Sequence, residues 1–205
     1  MAKSRQLTRK KLARKQREAA AKVISFYRAN ERPYGAFSNL YRSPIEFEGQ
    51  TYATAEHAYQ AGKAAKPAVR DWILSAPSPS LAAMAAHGLY VWDVVPNWAE
   101  IKFDRMRRVL RAKFTQHPEL AELLKSTGRA RLVEVGTVNN AVNRLWGEVK
   151  GVGRNMLGVM LMELRDELAN EKGSSLKQKT KRSSGKPQPD DFRSRTSHEI
   201  EVSAK

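Results

Sequence analysis

The stretch "YATAEHAYQAGKAAK" (residues 52–66) has the composition of a helix and unexpected residues along one side of it. Thr54 is a suitable N-cap, and the Ala, Gln and Lys that follow are strong helix formers. Positions i, i+4 and i+7 share one side of a helix, and here they hold Glu56, Gln60 and Lys63. Ala55, Ala58, Gly62 and Ala65 form a second stripe, small enough for close packing. Two readings are open. On an exposed helix, an acid and an amine two turns apart are a solvated face. On a buried helix the same row needs a polar cleft, because a buried carboxylate without a partner is costly. The short link to the hairpin upstream favours burial. In a cleft, Glu56 becomes an acid or base and Lys63 a reactive amine.

Outward from this stretch, the middle of the chain reads as one compact, mainly helical domain with a small β element (an α+β class). "VISFY" (23–27) and "RLVEV" (131–135) have strand character, and "PIEFEGQTYAT" (44–54) reads as a hairpin turning at Glu-Gly. "PAVRDWILSA" reads as helical, and "SPSLAAMAAHG" carries a Ser78 cap, Pro79 at the first helical position and Gly88 as a stop. "NWAEIKFDRMRRVLRAKFTQH" is the clearest helix, with Asn97 and Glu100 as an expected cap pair. Phe103, Met106, Leu110 and Phe114 make its apolar stripe. "PELAELLKSTG" is a further helix, and "MLGVMLMELRDEL" a last one, expected to be capped by Asn155.

The charge lies mostly outside that middle. Of a net +16, residues 1–22 hold nine Lys/Arg against one acid, and residues 171–205 nine against five. Residues 1–22 are expected to be a basic arm, either a solvated one or a helix that orders on a partner. The domain is expected over 23–170. Residues 171–205, rich in Ser, Lys and Pro, are expected to be a disordered basic tail. There is no cysteine, which removes disulfides, thiolate metal sites and Cys nucleophiles. No apolar run approaches the ~20 residues of a membrane span, and no secretory signal follows the basic start. A cytoplasmic protein without membrane contact is expected. The four His are scattered without a second ligand at helical spacing, so no metal is expected.

Two loops could carry chemistry. "RPYGAFSNLYRSP" (32–44) sets aromatic rings around Ser38 and Asn39, which suits a flat ring or a sugar. "GTVNNAVNRLWGEVKGVGRN" (136–155) gathers Asn143, Trp146, four glycines and Asn155. The plainer alternative is that Asn and Gly simply make turns.

Together the blocks "YGAFSNLYRSPIEFEGQTYATAEHAYQAGK", "PNWAEIKFDRMRRVLRAKF", "ELLKSTGRARLVEV" and "WGEVKGVGRNMLGVMLMELRDEL" resemble the NADAR family, the YbiA-like N-glycosidases. The resemblance implies a single YbiA-like domain that hydrolyses an N-glycosidic bond without a cofactor. It implies one of two substrates: ADP-ribosylated guanine in nucleic acid, or ribosylated pyrimidine intermediates of riboflavin synthesis. A module that only binds ADP-ribose or nucleic acid is the non-enzymatic alternative. The family's glutamate and lysine fall on Glu56 and Lys63, as catalytic residues. Its substrate-binding positions fall on Phe37, Ser38 and Asn39, on His57, Tyr59 and Gln60, on Trp98, and on Trp146, Gly147 and Asn155. Where the family has an Asp three residues before the WG motif, this chain has Asn143, which cannot act as a base at neutral pH. Val149 replaces the second Gly of that motif. If that Asp is catalytic in relatives, this chain leans harder on Glu56 and Lys63, is slower, or has a shifted substrate. Nucleotide or ADP-ribosylated nucleic acid is the expected partner, with the basic ends as possible contacts.

Overall fold

A computed structural model describes residues 22–183, with side chains through 171. The expected basic arm (1–22) lies almost wholly outside the described residues, as does the tail from 184 onward. Among the described residues there are seven α-helices and two two-stranded sheets, so the α+β expectation holds. Strand β1 (Val23–Phe26) pairs in parallel with β4 (Arg131–Glu134), Phe26 beside Glu134. Strands β2 (Arg42–Phe47) and β3 (Gln50–Thr54) form the expected antiparallel hairpin. Its turn residues Glu48 and Gly49 both have positive φ, 51° and 77°, as a tight two-residue hairpin turn needs.

Helix α1 (Ala55–Ala61) starts on Thr54, whose side chain accepts from the His57 N–H. All seven of its residues are buried, so its polar row is an interior row. The helix is shorter than the sequence suggests. It ends at Gly62, where a Cβ would sit 1.9 Å from Arg105 Nε. The Arg105 guanidinium donates there to Ala58 O and Tyr59 O, so it occupies the end of the helix. Lys63 therefore lies past the helix. Helices α2 (Pro67–Leu74) and α3 (Pro79–His87) follow, and Ser78 caps α3 as expected by accepting from Leu81 N–H. The longer helix α4 (Trp98–Gln116) buries Met106, Leu110 and Phe114. Its expected side-chain cap does not form: Asn97 is left-handed (φ 54°) and contributes its backbone carbonyl to Glu100 and Ile101.

Helix α5 (Pro118–Ser126) ends before Gly128, whose φ is 59°. The region expected to be a loop at 136–155 contains a short helix, α6 (Ala141–Trp146), capped by the Asn140 side chain. The last helix, α7 (Met156–Ser183), buries Leu157, Met160, Leu161, Leu164 and Leu168 at helical spacing. These pack with Phe26, Phe37, Leu110, Phe114 and Leu132 in the main core. A compact unit ends at Asn170, but the backbone stays helical through Ser183.

Candidate active site

A cleft of about 450 Å³ opens where α1, β4, α6 and the start of α4 meet. Of the residues singled out in sequence, Ser38, Asn39, Glu56, Tyr59, Gln60, Lys63, Trp98, Asn143, Trp146 and Gly147 all line it. Tyr59 joins the aromatic wall, its ring 5.2 Å from Trp98 and 5.6 Å from Trp146. The volume is that of a small-ligand site, apolar for the most part with a few polar groups converging.

Glu56 is 9% exposed. Its Oε1 accepts from Gln60 Nε2 at 2.7 Å, the i, i+4 contact that helix geometry allows. Burial raises the Glu56 pKa to about 7, against a smaller lowering by Gln60. Lys63 does not pair with it. Lys63 Nζ donates to Ala86 O near the end of α3, and burial lowers its pKa.

A second carboxylate, which sequence reasoning missed, lines the same cleft. Glu134 ends β4, and burial together with the Glu56 charge raises its pKa to about 7. Its seat is specific. The Glu134 N–H donates to Asn155 Oδ1 at 3.0 Å, and its carbonyl accepts from Glu148 N at 2.8 Å. A Cβ on Gly147 would stand 2.4 Å from Glu134 O, so the chain passes there only as glycine. Two carboxyls raised to about 7 in one cleft can share the acid and base roles. A signal existed in sequence: "RLVEV" places an acid at the end of a strand beside a Gly-rich loop. The strand pattern alone, however, does not separate it from a surface residue.

Three sequence candidates lie elsewhere. Phe37 is fully buried in the core against Phe26, Tyr34 and Phe114. His57 shares an oxygen–nitrogen contact of 2.8 Å with Thr54 and faces a different depression. Asn155 is buried, and its Nδ2 donates to Leu132 O at 2.7 Å while its Oδ1 holds Glu134 N–H. Its side chain thus ties β4 and does not cap α7. It reaches the cleft only through the backbone of Glu134.

Asn143 lines the cleft with its amide engaged. Its Nδ2 donates to Val138 O at 2.7 Å. The "FSN" segment is held from both sides. Asn39 O accepts from Glu56 N–H, and the fully buried Lys113 donates to Ala36 O at 2.6 Å and Ser38 O at 2.9 Å. Burial lowers the Lys113 pKa to about 7. Asn39 Oδ1 is buried without a hydrogen-bond partner among the described residues, beside the cleft. Such an acceptor suits a ligand N–H or O–H.

Comparison with known proteins gives the family. The NADAR domain model matches residues 25–169. N-glycosidase YbiA of Escherichia coli (strain K12) is 42% identical over 151 residues, 73% of this chain and 91% of that one. An N-glycosidase of Nostoc punctiforme is 34% identical over 152 residues, covering 72% and 94%. A riboflavin biosynthesis protein of Vibrio vulnificus is 32% identical over 146 residues, 71% of this chain but only 38% of that one. The NMR structure of E. coli YbiA superposes with a TM-score of 0.65 at 41% identity, over 74% of this chain and 88% of that one. The chain belongs to the NADAR family and is an N-glycosidase, a hydrolase of N-glycosyl bonds.

Proposed function

We propose that the protein removes ADP-ribose from modified guanine in nucleic acid, with Lys63 as nucleophile and Glu56 and Glu134 as the acid–base pair. The observation that carries this reading is one buried and one half-buried carboxyl, Glu56 and Glu134, both raised to about 7, lining one cleft with an amine whose pKa burial lowers. The Lys63 lone pair attacks the anomeric carbon as the C–N bond to the base breaks. The leaving nitrogen takes a proton from whichever carboxyl is protonated, and the ionised one balances the positive charge building at the sugar. The ionised carboxyl takes a proton from Nζ and passes it to the ring oxygen, so the ring opens to a protonated imine on Nζ. Water, activated by the ionised carboxyl, releases the sugar and restores the amine. The Asn39 amide and the Tyr59, Trp98 and Trp146 rings would hold the nucleotide. The net charge of +16 supports capture of a polyanion.

A second substrate, a free ribosylated pyrimidine of riboflavin synthesis, is favoured by the name of the Vibrio vulnificus relative. Incubation with ADP-ribosylated DNA and with the free ribosylamino-pyrimidine phosphate, followed by mass spectrometry, separates the two. Release of ADP-ribose from the DNA is expected. Cleavage of the free pyrimidine alone transfers the protein to the second reading. Borohydride added during turnover tests the nucleophile: a reduced sugar adduct on Lys63 is expected, absent in Lys63→Arg. Substantial activity in Lys63→Arg with no adduct in the parent protein would leave the carboxyls acting directly on water.

A further inference from the structure

The segment from His87 to Trp98 leaves the cleft wall and returns to it, since both end residues line the cleft. It is tied down by backbone bonds to the stretch carrying Lys63: Ala65 N–H to Asp93 O at 2.8 Å and Val95 N–H to Lys63 O at 2.9 Å. A Lys66–Asp93 ion pair of 2.8 Å adds to these. On this anchored strip sit Tyr90 and Trp92, exposed at 66% and 64%. Their rings are already parallel, with centroids 4.7 Å apart and planes at 9°. Tyr90 is three residues from His87, so its backbone is within roughly 11 Å of the cleft wall. Two large aromatic rings held exposed, stacked and on a tethered strip are unusual for a surface that only meets water.

We propose that Tyr90 and Trp92 form a stacking platform on the cleft rim for an unpaired base next to the modified nucleotide of a single-stranded nucleic acid. The proposal rests on the nucleic-acid reading above and deepens it. A parallel ring pair offers a flat outer face, and nucleobases stack on such faces regardless of sequence. Lys102 lines the same cleft, and a cation there suits a phosphate backbone. A free pyrimidine nucleotide has no neighbouring base and would leave the platform unused.

The test is fluorescence anisotropy of a labelled, unmodified single-stranded oligonucleotide of about twelve residues with the full chain, over a salt series. The parent protein is compared with the Tyr90→Ala/Trp92→Ala double variant and with Trp92→Phe. Stacking is worth ~1–3 kcal/mol per base by alanine substitution, so the double variant should bind about 5- to 150-fold more weakly. Its salt slope should be unchanged, because phosphate contacts are left in place. Trp92→Phe should retain most of the affinity. Circular dichroism confirms that the exposed substitutions leave the fold intact. Equal affinity of parent and double variant overturns the proposal. So does a sedimentation shift showing that the ring pair joins two copies of the chain while oligonucleotide affinity holds. Parent turnover of an ADP-ribosylated guanosine mononucleotide, run in parallel, tests the substrate reading alone. Its failure would leave the oligonucleotide result standing.

Discussion

The start of α1 and the end of β4 each deliver one carboxyl to the cleft, by different means. Glu56 sits in the first turn of a wholly buried helix and carries its own partner, Gln60, one turn on. Glu134 is the last residue of a four-residue strand, and its place depends on distant chain: Asn155 holds its N–H and Gly147 makes room for its carbonyl. One acid is positioned locally, the other by a fold-level constraint. The difference teaches that a site can be half encoded in one short motif and half in residues distant in sequence that hold the backbone of the second acid.

The sharpest way to break this comparison is to neutralise each acid in turn. Glu56→Gln and Glu134→Gln should each lower kcat by about 10²–10⁴-fold, the range for loss of a positioned acid or base. If only one of them does, that residue works alone and the pair is not a unit. Next comes the seat of Glu134. Gly147→Ala drives a methyl against Glu134 O, and activity should fall on the order of a hundredfold. The same change should leave the Glu56–Gln60 contact intact, so a chemical-shift or crystallographic readout of α1 should be unmoved.

A smaller effect appears in stability against pH. Both carboxyls have folded pKa values raised to about 7 from an ordinary 4.5, so the folded state keeps protons that the unfolded chain releases. Their contribution is complete below about 4.5 and is lost as pH rises through 7. Lys113 is lowered to about 7 from 10.5, so it adds no slope below 7 and adds stability as pH rises above it. Denaturant unfolding of the parent protein should therefore lose on the order of 2 kcal/mol per carboxyl between pH 5 and 7. Glu56→Gln should remove roughly half of that slope. A flat profile in the parent protein would mean the carboxyls are not buried as described.

The smallest effect is expected at Asn143. Asn143→Asp replaces the Nδ2 donor to Val138 O with a carboxylate oxygen facing a carbonyl. A cost of about 1 kcal/mol in stability is expected. Any gain in turnover despite that cost would show that an acid at this position serves the reaction.

Much of this was legible in the sequence, and the reasons differ by residue. Glu56 was visible because an acid on a small-residue helix breaks an apolar pattern. The hairpin, Ser78 and the α4 stripe were visible because each follows local chemistry. Lys63 reads as helical in the sequence because nothing local says that Arg105, over forty residues away, takes the space at Gly62. Helix α6 was hidden by its asparagines, which favour turns until Asn140 is seen to cap. Glu134 and the role of Asn155 were hidden because both depend on the parallel pairing and the chain crossing that only the fold supplies.

Lys113 gives the cleft a built-in footprint. It is fully buried under the carbonyls of Ala36 and Ser38, within ring contact of Tyr41 and Phe114. An amine-modifying reagent can reach Nζ only in the moments when the segment bearing Ser38 and Asn39 lifts away. Among the many lysines of this chain, its rate of modification is thus a clock for the opening of that wall, and a ligand held by Asn39 would slow it.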